Sequence, residues 1–144
     1  METNKTLSIY QSLARVILPE GILEYFEVTD LYEEHTGIIE ETGLERIIIH
    51  IHLDELDRRE KEWHDLKPNG FTEARLINDF PIRDHKVVLH VRRRRWLRAD
   101  GGSIILNHCS LVAEGTSYSE GFAVALKKIL GHLPDTGPFS GAVL

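Results

Sequence analysis

Residues 86–112, KVVLHVRRRRWLRADGGSIILNHCSLV, hold the pattern that decides the fold. Two strand-like runs, Lys86–Arg98 and Ser103–Val112, flank Ala99-Asp100-Gly101-Gly102, whose glycines supply the positive φ that a tight hairpin turn demands. A third run, Glu73–Phe80, precedes them, so this region predicts three strands. With Val87–Leu97 extended, Arg93 and Arg95 point to one face and Arg92 and Arg94 to the other, because side chains alternate along a strand. One of those faces must meet solvent or a ligand.

Upstream, Lys67-Pro68-Asn69-Gly70 reads as a turn between two halves of different character. Before it, Leu7, Tyr10, Leu13, Ala14 and Ile17 recur at helical spacing and predict an amphipathic helix over Asn4–Leu18, stopped near Pro19 and Gly21. Ile22–Glu34 reads as a strand, and Ile47, Ile49, Ile51 and Leu53 alternate with Ile48, His50 and His52 as its hairpin partner. Glu55–Leu66 reads as a short surface helix. Downstream, Ser117 and Glu120 have capping-box spacing ahead of a helix whose apolar stripe is Phe122, Ala123, Leu126, Ile129 and Leu130, ending at Lys127 and Lys128. The expected architecture is α+β: an N-terminal helix, a β-hairpin, a three-stranded antiparallel ribbon-like unit and a C-terminal helix. It forms one domain over residues 1–133, with an acidic half 1–67, a basic half 70–131 and a flexible tail 134–144.

The composition supports a packed domain. The chain has 144 residues, 42 % of them hydrophobic and 28 % charged, which excludes a wholly disordered or collagen-like chain. No apolar run approaches the ~20 residues of a bilayer span, and the polar start METNKTLS is unlike a secretory leader, so a cytoplasmic protein without a membrane association is expected. One cysteine, Cys109, precludes an internal disulfide.

The net charge of −6 is divided unevenly. Residues 1–70 carry 7 Lys+Arg against 16 Asp+Glu, whereas residues 71–144 carry 10 against 7. Arg83, Lys86, Arg92, Arg93, Arg94, Arg95 and Arg98 lie within sixteen residues that contain one acid, Asp84. Such a patch produces a field of several kT despite the acidic total. Four adjacent arginines repel one another unless a polyanion or nearby carboxylates compensate, and arginine is the preferred side chain for phosphate. These seven residues are therefore the candidate nucleic-acid contacts, aimed at phosphates rather than base edges. The competing reading pairs the run with the acidic half of the same chain.

Other chemistry is weakly signalled. His50 and His52 share a strand face and could meet a metal with His64, His108 or Cys109, but nothing fixes the remaining ligands, and a polar solvent-facing edge explains them better. Cys109 beside His108 does not make a catalytic nucleophile, since adjacent strand residues face opposite ways, and the carboxylates Asp54, Glu55 and Asp57 could be metal ligands but read better as a solvated charged stretch. No phosphate-binding glycine loop, H-E-x-x-H or serine elbow occurs. The reading is a non-enzyme with no cofactor and no metal. Trp96 and Trp63 read as packing anchors.

Three stretches, LPEGILEYFEVTDLYEE (Leu18–Glu34), GFTEARLINDFPIRDHKVVLHVRRRRW (Gly70–Trp96) and SLVAEGTSYSEGFAVALKKIL (Ser110–Leu130), together resemble the N-terminal region protein of Bacteroidetes insertion-sequence transposases of the ISAon-one type. The second stretch is also similar to the N-terminal zinc-ribbon region of ISL-three transposases, with Asp79-Phe80-Pro81 leading to the basic strand Val91–Trp96. That wider family binds zinc through ribbon cysteines, continues into a helix-turn-helix and ends in a DDE catalytic domain. Here Trp96 stands at a cysteine position, the paired cysteines before Gly70 are missing, and Cys109 alone cannot replace them. The resemblance implies a ribbon without its metal, packed through Trp96. It implies the non-catalytic DNA-binding part of a split transposase, whose partners are transposon-end DNA and a separately encoded DDE catalytic subunit. Homodimerisation stays open, and docking on that subunit without DNA contact is the alternative.

Overall fold

The computed structural model describes residues 2–106 and 119–130. Helix α1 (Glu2–Ile17) ends before Pro19, and Gly21, at φ 81°, turns the chain into a 3-10 turn at Ile22–Glu24. Leu7, Tyr10 and Leu13 of its stripe stay at least half exposed; the chain reaches the core through Ala14, Leu18 and Ile22 instead. Strands β1 (Phe26–Ile39) and β2 (Glu45–Glu55) form the expected hairpin, with β1 displaced along the chain to begin at Phe26 and run on to Ile39.

The remaining strands are β3 (Lys67–Phe71), β4 (Arg75–Ile82), β5 (His85–Arg92), β6 (Arg94–Leu97) and β7 (Ser103–Ile104), followed by helix α2 (Glu120–Leu130). They make two sheets, one ordered β1-β2-β5-β4 and one ordered β3-β6-β7. The architecture is α+β, as expected, with its strands differently partitioned. β2 runs parallel to β5, so the larger sheet joins a strand from each half of the chain. Alternation fixes which face of a strand is buried but is blind to strand direction. The inward faces supply the core: Ile49, Ile51 and Leu53 from β2, Val87, Leu89 and Val91 from β5, and Ile77 from β4, closed over by Leu18, Ile22 and Phe26.

Three local expectations are corrected. The run Lys86–Arg98 is two strands broken at Arg93. Lys67–Phe71 is a strand rather than a turn, carrying Gly70 at φ 76° within an irregular register against β6. Of the helix expected over Glu55–Leu66, the structure has a 3-10 turn at Lys61–Trp63. The Ala99–Gly102 hairpin is present, closed by the Arg98 amide donating to the Gly102 carbonyl at 2.7 Å. Ser117 of the capping box, the strand beyond Leu106, His108, Cys109 and the tail 134–144 lie outside the described residues.

Candidate nucleic-acid interface

The break at Arg93 has a local cause. β3 and β4 are linked by Thr72–Ala74, and their partners β6 and β5 must bend at the same level to pass from one sheet to the other. Thr72 grips Arg93 there: its amide donates to the Arg93 carbonyl at 2.8 Å, and its hydroxyl accepts from the Arg93 amide at 3.0 Å. β2 ends beside the bend. Its last residue, Glu55, is 2 % exposed and takes over where its backbone ladder stops. One Glu55 carboxylate oxygen accepts from the Arg94 amide at 2.7 Å, and its carbonyl accepts from Arg94 Nε at 2.8 Å. The other carboxylate oxygen lies 3.5 Å from the Arg93 guanidinium, which also donates to the Leu106 carbonyl.

The arginine run therefore divides by role. Arg93 and Arg94 are committed to Glu55 and to the joint between the sheets. Arg92 is bidentate with Asp54, at 2.8 and 2.6 Å, and its side chain remains 46 % exposed. The Arg92 guanidinium lowers the Asp54 pKa from its ordinary value by hydrogen bonding, against a smaller opposing effect of burial. Arg92 and Arg94 both lie over the Phe71 ring, 4.7 and 5.0 Å from its centroid, so they share a side as alternation requires. Trp96 is buried, as expected of a packing anchor, with the Arg59 guanidinium 4.3 Å above its ring.

Arg95 is placed differently. Because Trp96 points inward, Arg95 points to solvent from the outer face of the second sheet, where its nearest polar partner is Ser103 Oγ at 3.4 Å. The Asn69 amide reaches the same hydroxyl at 3.4 Å. Lys67, opposite Leu97 on β3, is exposed on this sheet, and Arg98 at the hairpin turn is held loosely, 3.6 Å from the exposed Asp100. Neither Arg95 nor Lys67 makes an ion pair among the described residues. Lys67 and Asn69 were missed from sequence because Lys67–Gly70 has turn composition and its strand identity comes from β6 alone; Ser103, at the start of an expected strand, carried no signal for this role.

Arg83 and Lys86 do not join this group. Arg83 sits with Asp84 in the β4–β5 turn, both at positive φ, at the far end of β5 and on the order of 25 Å from Arg92 by strand rise. Lys86 is partly buried, and that burial, with Arg46 nearby, lowers its amine to a pKa of about 8.

The outward face of the larger sheet carries a second cluster. His90 of β5, unremarked in the sequence, meets His50 and His52 of β2, with Tyr32 and Glu34 of β1 beside them. Among the described residues no group of three His, Cys, Asp or Glu side chains is arranged to hold a metal. Both nitrogens of His50 are engaged, and His52 and His90 stack nearly parallel, so their lone pairs do not converge.

Fold and site together define an α+β protein with a charged joint between two sheets and a small basic outer face. Compared with known protein families, curated proteins and solved structures, the chain matches none. No described helix is long and apolar enough to cross a membrane.

Proposed function

We propose that the chain is the non-catalytic, DNA-binding N-terminal part of a split insertion-sequence transposase, working in the cytoplasm with a separately encoded DDE catalytic subunit. One observation carries the phosphate-binding reading: Arg95 and Lys67 stand on the exposed face of the second sheet with no carboxylate paired to them among the described residues, beside the loosely held Arg98. Asn69 and Ser103 add uncharged donors of the kind that hold phosphate oxygens. Arg92 is half exposed too, but it shares the Phe71 side with Arg94 rather than the face of Arg95, and phosphate must compete with Asp54 for it. The transposase assignment itself rests on the sequence resemblance.

The alternative, docking on the catalytic subunit without touching DNA, draws on the pairing of Arg92 with Asp54 and of Arg93 and Arg94 with Glu55. Titrating the element's terminal repeat and an unrelated duplex with the full chain separates the two. Salt-sensitive binding lost in an Arg95→Ala, Arg98→Ala, Lys67→Ala variant supports phosphate contact, and preference for the terminal repeat supports transposon-end recognition. A folded wild type that binds neither duplex favours docking.

A further inference from the structure

On the outward face of the larger sheet, two of the chain's eight histidines, His50 and His52, both contact a third, His90. Strand alternation puts them there: His50 and His52 face away from Ile49 and Ile51 on β2, and parallel pairing sets His90 of β5 opposite His52. His52 and His90 stack at 4.1 Å with 10° between their planes, and Tyr32 stacks on His50 at 4.9 Å. The polar contacts run in series across three strands. His50 Nε2 is 2.7 Å from a Glu34 carboxylate oxygen, and His50 Nδ1 is 2.7 Å from His90 Nε2.

This series restricts how many protons it can hold. A carboxylate only accepts, so His50 Nε2 donates to Glu34. The contact between His50 Nδ1 and His90 Nε2 then has room for one proton, supplied by one ring and accepted by the other. Protonating both rings would set N–H against N–H at 2.7 Å, and the contact would have to open.

We propose that Glu34, His50 and His90, with His52 stacked on the last, form a proton-sensitive clasp across β1, β2 and β5 that stays closed with one proton in the His50–His90 contact and opens when both imidazoles are protonated. Burial, with the adjacent His52 and His50, also holds the His90 imidazole below its ordinary pKa. The other groups on this face do not compensate the second proton equally. β1 adds Asp30, opposite His52, and Tyr32; β2 adds Asp54, already bound by Arg92. β5 adds Lys86 and Arg92, both cationic, and β4 places the uncharged Leu76 and Asn78 opposite His90 and Val88. The carboxylate closest to the rings, Glu34, is hydrogen-bonded to His50 and not to His90.

Nitrogen-resolved NMR of the imidazoles of the full chain, titrated from pH 8 to 5, tests the clasp directly. His90 is expected to become doubly protonated only below the ordinary histidine value of 6.5, with the His50 Nδ1 signal reporting the opening of the contact in that same step. Thermal unfolding gives an independent reading against His90→Phe, which keeps a ring for His52 and cannot share a proton. On acidification from pH 7.5 to 5, the wild-type Tm should fall by about 5 °C more than that of the variant. Three imidazoles titrating independently in single steps at the ordinary value would overturn the proposal, and so would pH profiles of Tm that coincide. Should the variant fail to fold, the wild-type titration decides alone.

Discussion

Glu55 and Arg94 close the joint between the two sheets from both ends of their backbones: the Glu55 carboxylate accepts the Arg94 amide, and the Arg94 guanidinium donates to the Glu55 carbonyl. A carboxylate 2 % exposed at a strand end does what a further residue of β2 would otherwise do. Glu55→Ala leaves the Arg94 amide and the Arg93 guanidinium without this acceptor, so it should cost about 3 kcal/mol in urea unfolding. Glu55→Gln keeps an acceptor oxygen and should cost about 1 kcal/mol. Equal costs for the two substitutions would show that volume, not hydrogen bonding, is what the site needs.

The Arg92–Asp54 pair is a surface contact and should behave like one. Arg92 is nearly half exposed, so solvent screening reduces the coupling to about 0.5–1 kcal/mol in a double-mutant cycle at neutral pH. The Asp54 carboxyl titrates below its ordinary value when folded. Its contribution is therefore full above about pH 4 and disappears as pH falls through the folded value. A coupling energy that does not decline as pH falls below the ordinary carboxylate range would contradict this account of the pair.

Asp79 has the opposite sign. Burial raises its pKa, outweighing the Ser119 hydroxyl that donates to it at 2.7 Å. The protonated form is favoured in the folded state, so the benefit is present below the ordinary carboxylate range and is lost as pH rises through the folded value. Asp79→Asn should therefore stabilise the protein by about 1 kcal/mol at pH 7, keeping the oxygen that Ser119 donates to, and should gain nothing at pH 3. Denaturant melts at the two pH values check it; a variant less stable at pH 7 would mean that the charge at Asp79 is needed.

Much of this was written in the sequence as periodicity. The alternation of Ile47–Leu53 located one core strand, the strand-like run from Lys86 contained another, and the Ala99-Asp100-Gly101-Gly102 turn located a hairpin. What stayed hidden involves partners distant along the chain. The parallel register that brings His90 to His52 leaves no trace in the alternation of either strand. The split at Arg93 depends on Thr72 and Glu55, and strand β3 conceals itself behind the turn-forming Pro68, Asn69 and Gly70. The seven-residue basic cluster was legible as composition, but its division into structural arginines and solvent-facing ones needed those same long-range pairs.

That division fixes how the arginine run should be probed. Arg93→Ala removes a guanidinium from Glu55 and the Leu106 carbonyl and should destabilise the fold by about 2 kcal/mol. Arg95→Ala removes a solvent-facing group and should leave stability within about 0.5 kcal/mol of wild type. Circular dichroism melts of the two variants side by side distinguish the roles, and similar losses of stability in both would erase the distinction.

The proposed contact of the second sheet's outer face with DNA phosphates is tested most directly by the slope of log binding constant against log salt concentration. Each phosphate contact contributes about 0.9 to that slope on duplex DNA. Wild type should therefore show a steep negative slope, and Arg95→Ala and Lys67→Ala should each reduce its magnitude by about 1 without loss of stability. Unchanged slopes in both variants, with the wild type still binding, would place the DNA elsewhere on the molecule and contradict the account.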